Sequence, residues 1–324
     1  MAFRGIQFTS DAVQYAIGIG ISAVVGTTLY FNTLGINRWR KFHASFKNGK
    51  EAELDEDTKK ITEELTDYVL LKWDVKSVSH VHFFPSPHQD LIHKGSVALV
   101  KGGHIGIPWN FQYKSISEIG DSLQNLSHRP DKKIDWDAKI GQELLQNCIL
   151  SRNAKKFGIA REMMYVKSWS VHIEVANQSF SSLGFFFTVN FLNEKFKLST
   201  HTKLWFRVII YFLCGILWST VYFLIKDRYN WHLDQQADRK AAEISKEVAE
   251  GGVEFYDKIL KRNVCMRQML GPEFERKYTA RGNEVLGTFR NRHVPLIDRK
   301  VYVSQILKSM EGEELKKETD AIKY

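Results

Sequence analysis

Two long runs without a charged residue place the strongest constraint on how this chain of 324 residues folds. The first run, Ala12–Phe31, has the roughly twenty residues that an α-helix needs to cross a bilayer. The second run, Val208–Ile225, lies between Arg207 and Lys226 and carries aromatic residues near its ends. Aromatic residues are enriched where membrane-spanning helices meet the bilayer interface. Each run therefore predicts a transmembrane helix.

The first run predicts a retained anchor and not a cleaved secretory signal. The residues before it contain one arginine, the apolar run is too long for a signal peptide, and no A-x-A cleavage site follows. Gly18, Ser22 and Gly26 recur at intervals of four, which allows another transmembrane helix to approach closely. Small residues are also common in membrane helices, so both explanations of this spacing stand.

A third uncharged segment, Val175–Asn193, precedes the second run. It contains several polar residues, but a short basic loop joins it to Val208–Ile225, so the two segments predict a membrane hairpin. Three spans are expected, with two as the alternative. Basic residues cluster just after the first span, which makes that side the cytoplasmic or matrix-like one and suits anionic lipid headgroups. These residues are Arg38, Arg40, Lys41, Lys47 and Lys50.

The remainder of the chain has the composition of a globular protein, with 44% hydrophobic and 26% charged residues. The net charge of +9 is compatible with nucleic acid, anionic lipid or a basic compartment such as the mitochondrial matrix. No nucleic-acid-binding motif accompanies the charge, so nucleic acid is not an expected partner. Cys148, Cys214 and Cys265 form no C-x-x-C pair and no disulfide framework. We expect reduced or buried thiols.

Outside the membrane segments, the sequence predicts an α+β protein that is predominantly helical, with a small sheet. Residues 47–75 are charged and favour a surface helix, whereas residues 77–84 alternate as a strand does. Residues 85–95 have the composition of a loop. Two apolar runs joined at Gly102-Gly103 predict a β-hairpin at about 96–108, because glycine supplies the positive φ angles of a tight turn.

A polar linker near residues 126–135 precedes helical sequence at about 138–167. Its second part, 151–167, forms an amphipathic helix for which Ser151 is a suitable N-cap. Beyond the membrane hairpin, residues 233–270 predict two helices broken at Gly251-Gly252, and the tail ends in a short helix. The chain thus divides into an anchor region, a soluble region, a membrane hairpin and a C-terminal helical region, at 1–40, 41–170, 171–226 and 227–324.

Four histidines lie close together in the sequence, at His80, His82, His88 and His93. His80 and His82 project from one face of the predicted strand, and alternate histidines can ligate zinc or copper. The alternative is a solvated strand edge followed by a loop that separates the other two.

Three stretches carry a resemblance to a known family: Leu150–Ser168, Gly251–Asn283 and Gly106–Phe111. They resemble the transmembrane protein 177 family of the mitochondrial inner membrane. The likeness covers about the central and C-terminal two thirds, and before about Ser96 only the position of the anchor agrees. This resemblance implies an inner-membrane protein that is not an enzyme. It also implies association with cytochrome c oxidase subunit 2 and with its assembly chaperone during oxidase assembly.

A more distant resemblance is to the M48 membrane zinc proteases, which have four landmarks in a fixed order. They are a strand hairpin, an H-E-x-x-H helix, an E-x-x-A-D helix after a membrane hairpin, and a late H-P-x-x-x-R motif. The corresponding stretches are Ala98–Ile105, Arg161–Tyr165, Asp234–Asp238 and His293–Arg299. The resemblance implies an M48-protease-like fold that is anchored in the membrane.

Transferred by position, the two histidine ligands fall on Arg161 and Tyr165, the general base on Glu162 and the third ligand on Asp234. A catalytic zinc ion needs three protein ligands and a water molecule, and arginine cannot lose its proton to become a ligand. We therefore expect a pseudo-protease that lacks the metal site and uses no cofactor.

More ordinary roles remain open for these positions. Glu162 could equally be a surface residue in a salt bridge. Tyr165 could equally be a core residue whose hydroxyl group has a hydrogen-bond partner. Asp238 is compatible with pairing to its neighbours Arg239 or Lys240. If the metal is absent, Glu162 and Asp234 would face each other across a partly buried gap. The two helices must then lie on the same side of the membrane.

The planar guanidinium of Arg161 can pair with a carboxylate through two hydrogen bonds. We therefore predict that Arg161 bridges to Asp234, or alternatively to Asp238, while the Tyr165 hydroxyl caps the cluster.

Taken together, the residues and the two resemblances predict a non-enzymatic, multi-pass protein of the mitochondrial inner membrane. Its soluble parts would face the matrix, and its partners would be cytochrome c oxidase subunit 2, the chaperone of that subunit and inner-membrane lipids. Two alternatives are an active membrane zinc metalloprotease with an unrecognised ligand set and a lipid-surface scaffold.

Overall fold

The computed structural model describes residues 10–72, 80–119, 136–287 and 290–322. The helices in these ranges are α1 (Ser10–Asn32), α2 (Ile36–His43), α3 (Glu56–Lys72), α4 (Lys139–Cys148), α5 (Arg152–Lys167), α6 (Ser170–Phe196), α7 (Leu198–His201), α8 (Leu204–Ala242), α9 (Lys246–Leu270), α10 (Pro272–Lys277) and α11 (Leu296–Ile322). The strands are β1 (Phe46–Lys47), β2 (Lys50–Glu51), β3 (Val81–Ser86), β4 (Ile92–Gly95) and β5 (Gly103–Pro108). The predominantly helical α+β class is confirmed. The linker predicted near 126–135 lies outside the described residues.

Helix α8 is the longest element and joins the membrane part to the soluble part. Among the described residues it is the one helix that is long and apolar enough to cross a membrane alone. Residues 18–32 of α1 and the whole of α2, bent by 63° at the break between them, form a second candidate when they are taken as one span. The predicted region boundary at residues 226–227 falls inside α8, which continues without interruption to Ala242.

Helix α6 packs against both α1 and α8. It is 27 residues long and carries polar side chains such as Asn177 and Gln178, and it is not among the described helices that are apolar enough to span a membrane alone. Its contact with α8 is close, because a Cβ atom on Gly184 would lie 2.2 Å from the ring of Trp218. The indole nitrogen of Trp218 also donates to the Thr188 hydroxyl at 3.0 Å. Three membrane spans remain a prediction.

The soluble sheet has three strands in the order β3-β5-β4, with β5 parallel to β3 and antiparallel to β4. The predicted hairpin at 96–108 is wrong in its first strand. The partner of β5 is β4, which lies in the stretch assigned to a loop, and residues 96–102 form the connection. Consecutive turns shape this connection, since the Leu99 amide donates to Ser96 and the Gly102 amide to Leu99. Gly102 has φ +70° and lies so close to the His80 carbonyl that a side chain would clash.

Helix α5 lies at the centre of the soluble core, in contact with α9, α8, α3 and the sheet. Ser151 caps it, as predicted, by accepting a hydrogen bond from the Ala154 amide at 3.1 Å. The helical sequence predicted at 138–167 forms two helices, α4 and α5, and α5 coincides with the amphipathic helix predicted at 151–167. The C-terminal helix α11 is much longer than the short helix predicted for the tail.

Helix α9 runs unbroken through Gly251 and Gly252, so the break predicted there is wrong. The chain turns earlier, between Ala242 and Lys246. The two glycines serve a close approach to α5, because a Cβ atom on Gly251 would lie 2.3 Å from the backbone carbon of Asn153. Glycine is therefore required for helix packing and not for a turn.

The three cysteines are free and buried, which confirms the expectation from their spacing. Cys148 and Cys265 lie in an apolar cluster that is separate from the main core and includes residues of α4 and α9. Burial raises the pKa of the Cys148 thiol to about 11. This thiol is therefore protonated at neutral pH and is a poor nucleophile.

We expect Gly251→Ala to destabilise the protein by about 1–3 kcal/mol or more, because the new methyl group forces α9 away from the α5 backbone. The matched control is Gly312→Ala in α11, where an added Cβ atom meets nothing within 4 Å. Alanine is a better helix former than glycine by about 0.5–1 kcal/mol, so the control should be neutral or slightly stabilising. Thermal unfolding in detergent measures both. Equal shifts in the two variants would contradict the packing role of Gly251.

Candidate functional site

Nine polar side chains, all of them buried or half-buried except the exposed His293, converge where α5, α8, α9 and the start of α11 with the residues before it meet β4. We call this group the buried polar cluster. Its members are His93, Arg161, Glu162, Tyr165, Asp234, Asp238, Tyr256, His293 and Arg299.

Glu162 has both carboxylate oxygens occupied by neighbouring side chains. Arg161 donates to Oε1 from Nε at 3.0 Å and from Nη2 at 2.6 Å, and His93 Nδ1 lies 2.6 Å from Oε2. Glu162 is only 2% exposed, so it is salt-bridged but is not a surface residue. Burial opposes its ionisation, yet Arg161 and His93 outweigh burial and hold its pKa at about 2. Glu162 is therefore a fixed negative charge at neutral pH.

Arg161 does not bridge to Asp234 or Asp238, so that prediction is wrong. Its guanidinium pairs with the adjacent Glu162 and donates from Nη1 to the Tyr256 hydroxyl at 3.3 Å. It also lies 5.2 Å from the centroid of the Phe255 ring. The aspartates are held by other donors, which leaves Arg161 to neutralise the residue beside it.

Asp234 accepts donors from three directions. The Tyr165 hydroxyl donates to Oδ1, the Val294 amide donates to Oδ2 at 3.0 Å, and His293 Nδ1 lies 3.2 Å from Oδ2. Tyr165 is 7% exposed and its ring stacks on that of His93, so it is a core residue with a satisfied hydroxyl. The Tyr165–Asp234 contact joins α5 directly to α8.

Asp238 is fully buried and is held by Arg299. Arg299 Nε and Nη2 each lie 2.7 Å from one of its oxygens, and the Tyr256 hydroxyl donates at 2.5 Å. The alternative pairing of Asp238 with Arg239 or Lys240 is wrong, since both of those side chains pair with an exposed glutamate. Bidentate pairing of this kind fixes both distance and orientation.

The buried polar cluster is a poor fit for a cation. Its three carboxylates face two permanently charged guanidinium groups, and every carboxylate already accepts hydrogen bonds from the protein. Arg161, at the position of the first histidine ligand of the M48 proteases, has no lone pair to offer. Within the described residues, no three histidine, cysteine, aspartate or glutamate side chains converge on a point that suits a metal ion.

The four histidines of the sequence do not form one site. His93 belongs to the buried polar cluster, and His82 lies opposite His104 on the neighbouring strand β5, with ring centroids 4.8 Å apart. His104, which the sequence reasoning missed, is 2% exposed, and neither ring nitrogen has a partner within the described chain. Burial lowers the pKa of His104 to about 4. Among the described residues, no third side chain joins the proposed pair His80 and His82 in a group that could hold a metal ion.

A cleft of about 920 Å³ borders the buried polar cluster. Arg161, Glu162 and Tyr165 lie in its wall, so one side of the cluster is accessible. The rest of the lining combines further arginine and histidine side chains with apolar ones, among them Leu91, Ile92, Phe111, Phe255 and Ile259. Chemically, this arrangement supplies fixed charges and an apolar wall without an activated nucleophile in the buried polar cluster.

Comparison with known proteins decides the family. The sequence pattern of "Transmembrane protein 177" matches residues 41–313 of this chain. The chain belongs to the transmembrane protein 177 family. It is therefore a membrane protein by family and by the composition of α8.

Similarity to other members of the transmembrane protein 177 family covers most of the chain. The zebrafish protein is 27% identical over 90% of this chain and 92% of its own length. The Xenopus laevis protein is 25% identical over 95% and 98%, and the human protein is 30% identical over 67% and 68%. The match starts at residue 41, so the family likeness extends well before Ser96. No solved structure matches this chain, and an M48-like fold remains an expectation.

The sequence located most of the buried polar cluster, and the Tyr165 hydroxyl contacts it as predicted, but the predicted carboxylate partner of Arg161 is wrong. Tyr256 was missed, and Arg299 was noted only as part of a late motif. A signal for Arg299 was available, because Asp234 and Asp238 lie four residues apart on one helical face. Two carboxylates on a buried face require cationic partners from elsewhere in the chain.

Proposed function

We propose that this protein is a non-enzymatic, multi-pass factor of the mitochondrial inner membrane that assists cytochrome c oxidase assembly. It does so by associating with oxidase subunit 2 and with the chaperone of that subunit, and by stabilising both. The observation that carries the proposal is the match to the transmembrane protein 177 family over residues 41–313.

A non-catalytic role is supported by the way the buried polar cluster satisfies itself. Glu162, at the position of a general base, is ionised but has both oxygens occupied by Arg161 and His93. A general base must accept a proton from a substrate or from a water molecule within hydrogen-bond reach. Here the carboxylate instead orients the Arg161 guanidinium and the His93 imidazole that flank it. The buried polar cluster thus acts as a clamp that holds α5, α8, α9 and α11 together.

A multi-pass arrangement is supported by the two faces of α6. This helix exposes Phe180, Leu183, Phe187 and Phe191, which recur at helical spacing on one face. It buries smaller or polar residues such as Asn177 and Ser181 against its neighbours. Such a distribution is the reverse of a water-soluble helix and is typical of a membrane helix, whose small and polar residues form the helix–helix interface.

The soluble core would face the matrix. The end of α1, the start of α6 and the soluble end of α8 all meet β4 or its neighbours at the core. Basic residues after the first span favour the matrix side. With epitope tags inserted at Lys50 and after Tyr324, protease treatment of mitoplasts should leave both tags protected. If the protease digests one tag and leaves the other protected, the two tags lie on opposite sides of the membrane, which would contradict the membrane hairpin.

The assembly role is tested by deleting the gene and measuring client abundance. Loss of a partner that stabilises by mass action should lower subunit 2, its chaperone or both in a graded way without abolishing the oxidase. Pulse-chase labelling should show a shortened lifetime, and affinity capture of the tagged protein should recover both partners. Re-expression of the wild-type chain is the control. Normal levels and lifetimes of both proteins in the deletion would exclude the assembly role.

A further inference from the structure

A second pocket lies where the membrane helices meet the soluble core. It has a volume of about 390 Å³ and is formed by the end of α1, the beginning of α6, the middle of α8 and strand β4. The pocket lies at the level where the long apolar run of α8 ends, since both Ile225 and Lys226 line it. It is therefore placed at the boundary between hydrocarbon and headgroups.

Two lysines line this boundary pocket, and one of them lacks a partner. Lys226 donates to Glu174 at 2.7 Å and to the Tyr222 hydroxyl at 3.0 Å. Lys94, on β4, is half-buried and makes no ion pair within the described part of the chain. Burial lowers the pKa of Lys94, and the nearby charge of Lys226 lowers it further, although Glu174 opposes this. The ammonium group of Lys94 would therefore be stabilised by an anionic ligand in the pocket.

Two other polar features point into the same region. Helix α6 begins at the pocket with Ser170 and Val171. The side chain of its N-cap residue, Trp169, makes no capping hydrogen bond, but the Ser170 amide donates to the Ser168 hydroxyl at 3.3 Å. The partial positive charge at the start of a helix favours anions. Asn177, which is 6% exposed and also lines the pocket, donates to the Tyr222 carbonyl at 3.0 Å, and its amide oxygen has no partner among the described residues. That oxygen is an acceptor for a hydroxyl group.

The remaining lining is apolar and continues onto the exposed surface of the helices. Phe31, Ile173 and Ile225 line the pocket. Leu29 and Leu224, close to it in sequence, are exposed. A ligand that fits must combine a compact anionic group with hydrocarbon that extends along α1, α6 and α8. Basic pockets between transmembrane helices bind lipid headgroups in this manner.

We propose that the boundary pocket binds the headgroup of an anionic phospholipid. Lys94 and Lys226 hold the phosphodiester, and Asn177 accepts a hydrogen bond from a headgroup hydroxyl of the glycerol type. The proposal does not depend on a role in oxidase assembly, because it rests only on the position of the pocket and on its charges.

The test uses the full chain in dodecyl maltoside micelles, with native mass spectrometry to count bound lipid and thermal unfolding to measure stabilisation. Phosphatidylglycerol should bind one molecule saturably and raise the melting temperature. Phosphatidylcholine, whose headgroup has no net charge, should bind far more weakly. Glycerol 3-phosphate, which has the anion without the chains, should not stabilise at the same concentration. If it binds as well as the lipid, the site is for a small phosphate compound and the lipid proposal fails.

Lys94→Gln should weaken phosphatidylglycerol binding about tenfold or more, which is the effect of losing a hydrogen bond to a charged group. The matched control is Lys50→Gln, which removes an exposed lysine of the basic cluster after α1. The melting temperature without lipid shows that each variant is folded. If the two variants weaken binding equally, the attraction is a general surface effect and the pocket is not the site.

The role of Asn177 is tested on the unchanged protein by comparing two lipids. Phosphatidylethanol carries the same phosphodiester charge as phosphatidylglycerol but has no headgroup hydroxyl. Phosphatidylglycerol should bind several-fold more tightly, because only its hydroxyl can satisfy the buried amide oxygen. Equal binding of the two lipids would overturn the part assigned to Asn177.

Discussion

Replacement of Arg299 by alanine is expected to lower the free energy of unfolding by about 3–5 kcal/mol, the usual cost of removing one partner of a buried ion pair. Asp238 has no exposed surface and would lose both of its 2.7 Å contacts. Among the described residues, the Tyr256 hydroxyl is the one hydrogen-bond donor to Asp238 that would remain. Asp234 would also lose a cation that lies 3.6 Å from its Oδ1 atom.

The double variant Arg299→Met with Asp238→Asn should recover part of this loss, because it removes the unpaired charge and keeps side chains of similar length. Arg239→Ala is the matched control, since its partner Glu243 lies on the surface. An exposed pair of this kind contributes about 0–1 kcal/mol. Thermal unfolding of the purified protein in detergent reports all three variants. A loss for Arg299→Ala no larger than the control would contradict the clamp.

Arg161→Ala is the second variant for which we expect a large loss, about 3 kcal/mol, at the lower end of the range for a buried pair. The loss is smaller than for Arg299 because Glu162 keeps its contact with His93. Glu162→Gln should restore part of the stability of Arg161→Ala, because a neutral amide no longer needs the guanidinium. Asp234→Asn should restore none of it, since Asp234 is held by Tyr165, His293 and Val294.

The pH dependence of stability gives a second measurement on Arg161. The folded pKa of Glu162 is about 2, below its ordinary value of 4.5. Its contribution is therefore fully present above about pH 4.5 and is lost as the pH falls towards 2. Acid unfolding of Arg161→Ala should show a weaker dependence, because the main cation that lowers the pKa of Glu162 is gone and only the contact with His93 remains among the two that lower it. In the rescue experiment, recovery of Arg161→Ala by Asp234→Asn but not by Glu162→Gln would contradict the Arg161–Glu162 pair and support the Arg161–Asp234 bridge predicted from the sequence.

Element type was predictable for most of the chain because it depends on local patterns. The uncharged run at Ala12–Phe31 lies within α1, and the Ser151 cap begins α5 where the spacing predicted it. The predictions were wrong where tertiary contacts, and not the local pattern, decided the structural role of a residue. Gly251 and Gly252 were read as a helix break, but they are packing residues on α9. The apolar residues 97–100 were read as a strand, but they form turns whose Val97 amide bonds to the end of α5.

The buried polar cluster shows the same division at the level of side chains. The positions of Arg161, Glu162, Tyr165, Asp234 and Asp238 were singled out from their order along the chain. The pairing of these side chains was not predictable from the sequence. A guanidinium can reach any of several carboxylates, and the sequence does not show which of them is closest. His93 comes from a strand that was assigned to a loop. Tyr256 comes from the middle of an ordinary amphipathic helix.

By itself, the sequence determined that this is a membrane protein, that it is mainly helical, and that it belongs to its family. These properties follow from composition, from the periodicity of apolar residues and from residue identity, which are local and additive along the chain. Only the tertiary structure decided that Arg299 holds Asp238, that Arg161 holds Glu162, and that Lys94 lies near Lys226 without an ion pair among the described residues. The physical reason is that burial multiplies the strength of an electrostatic contact, and burial depends on which distant elements meet.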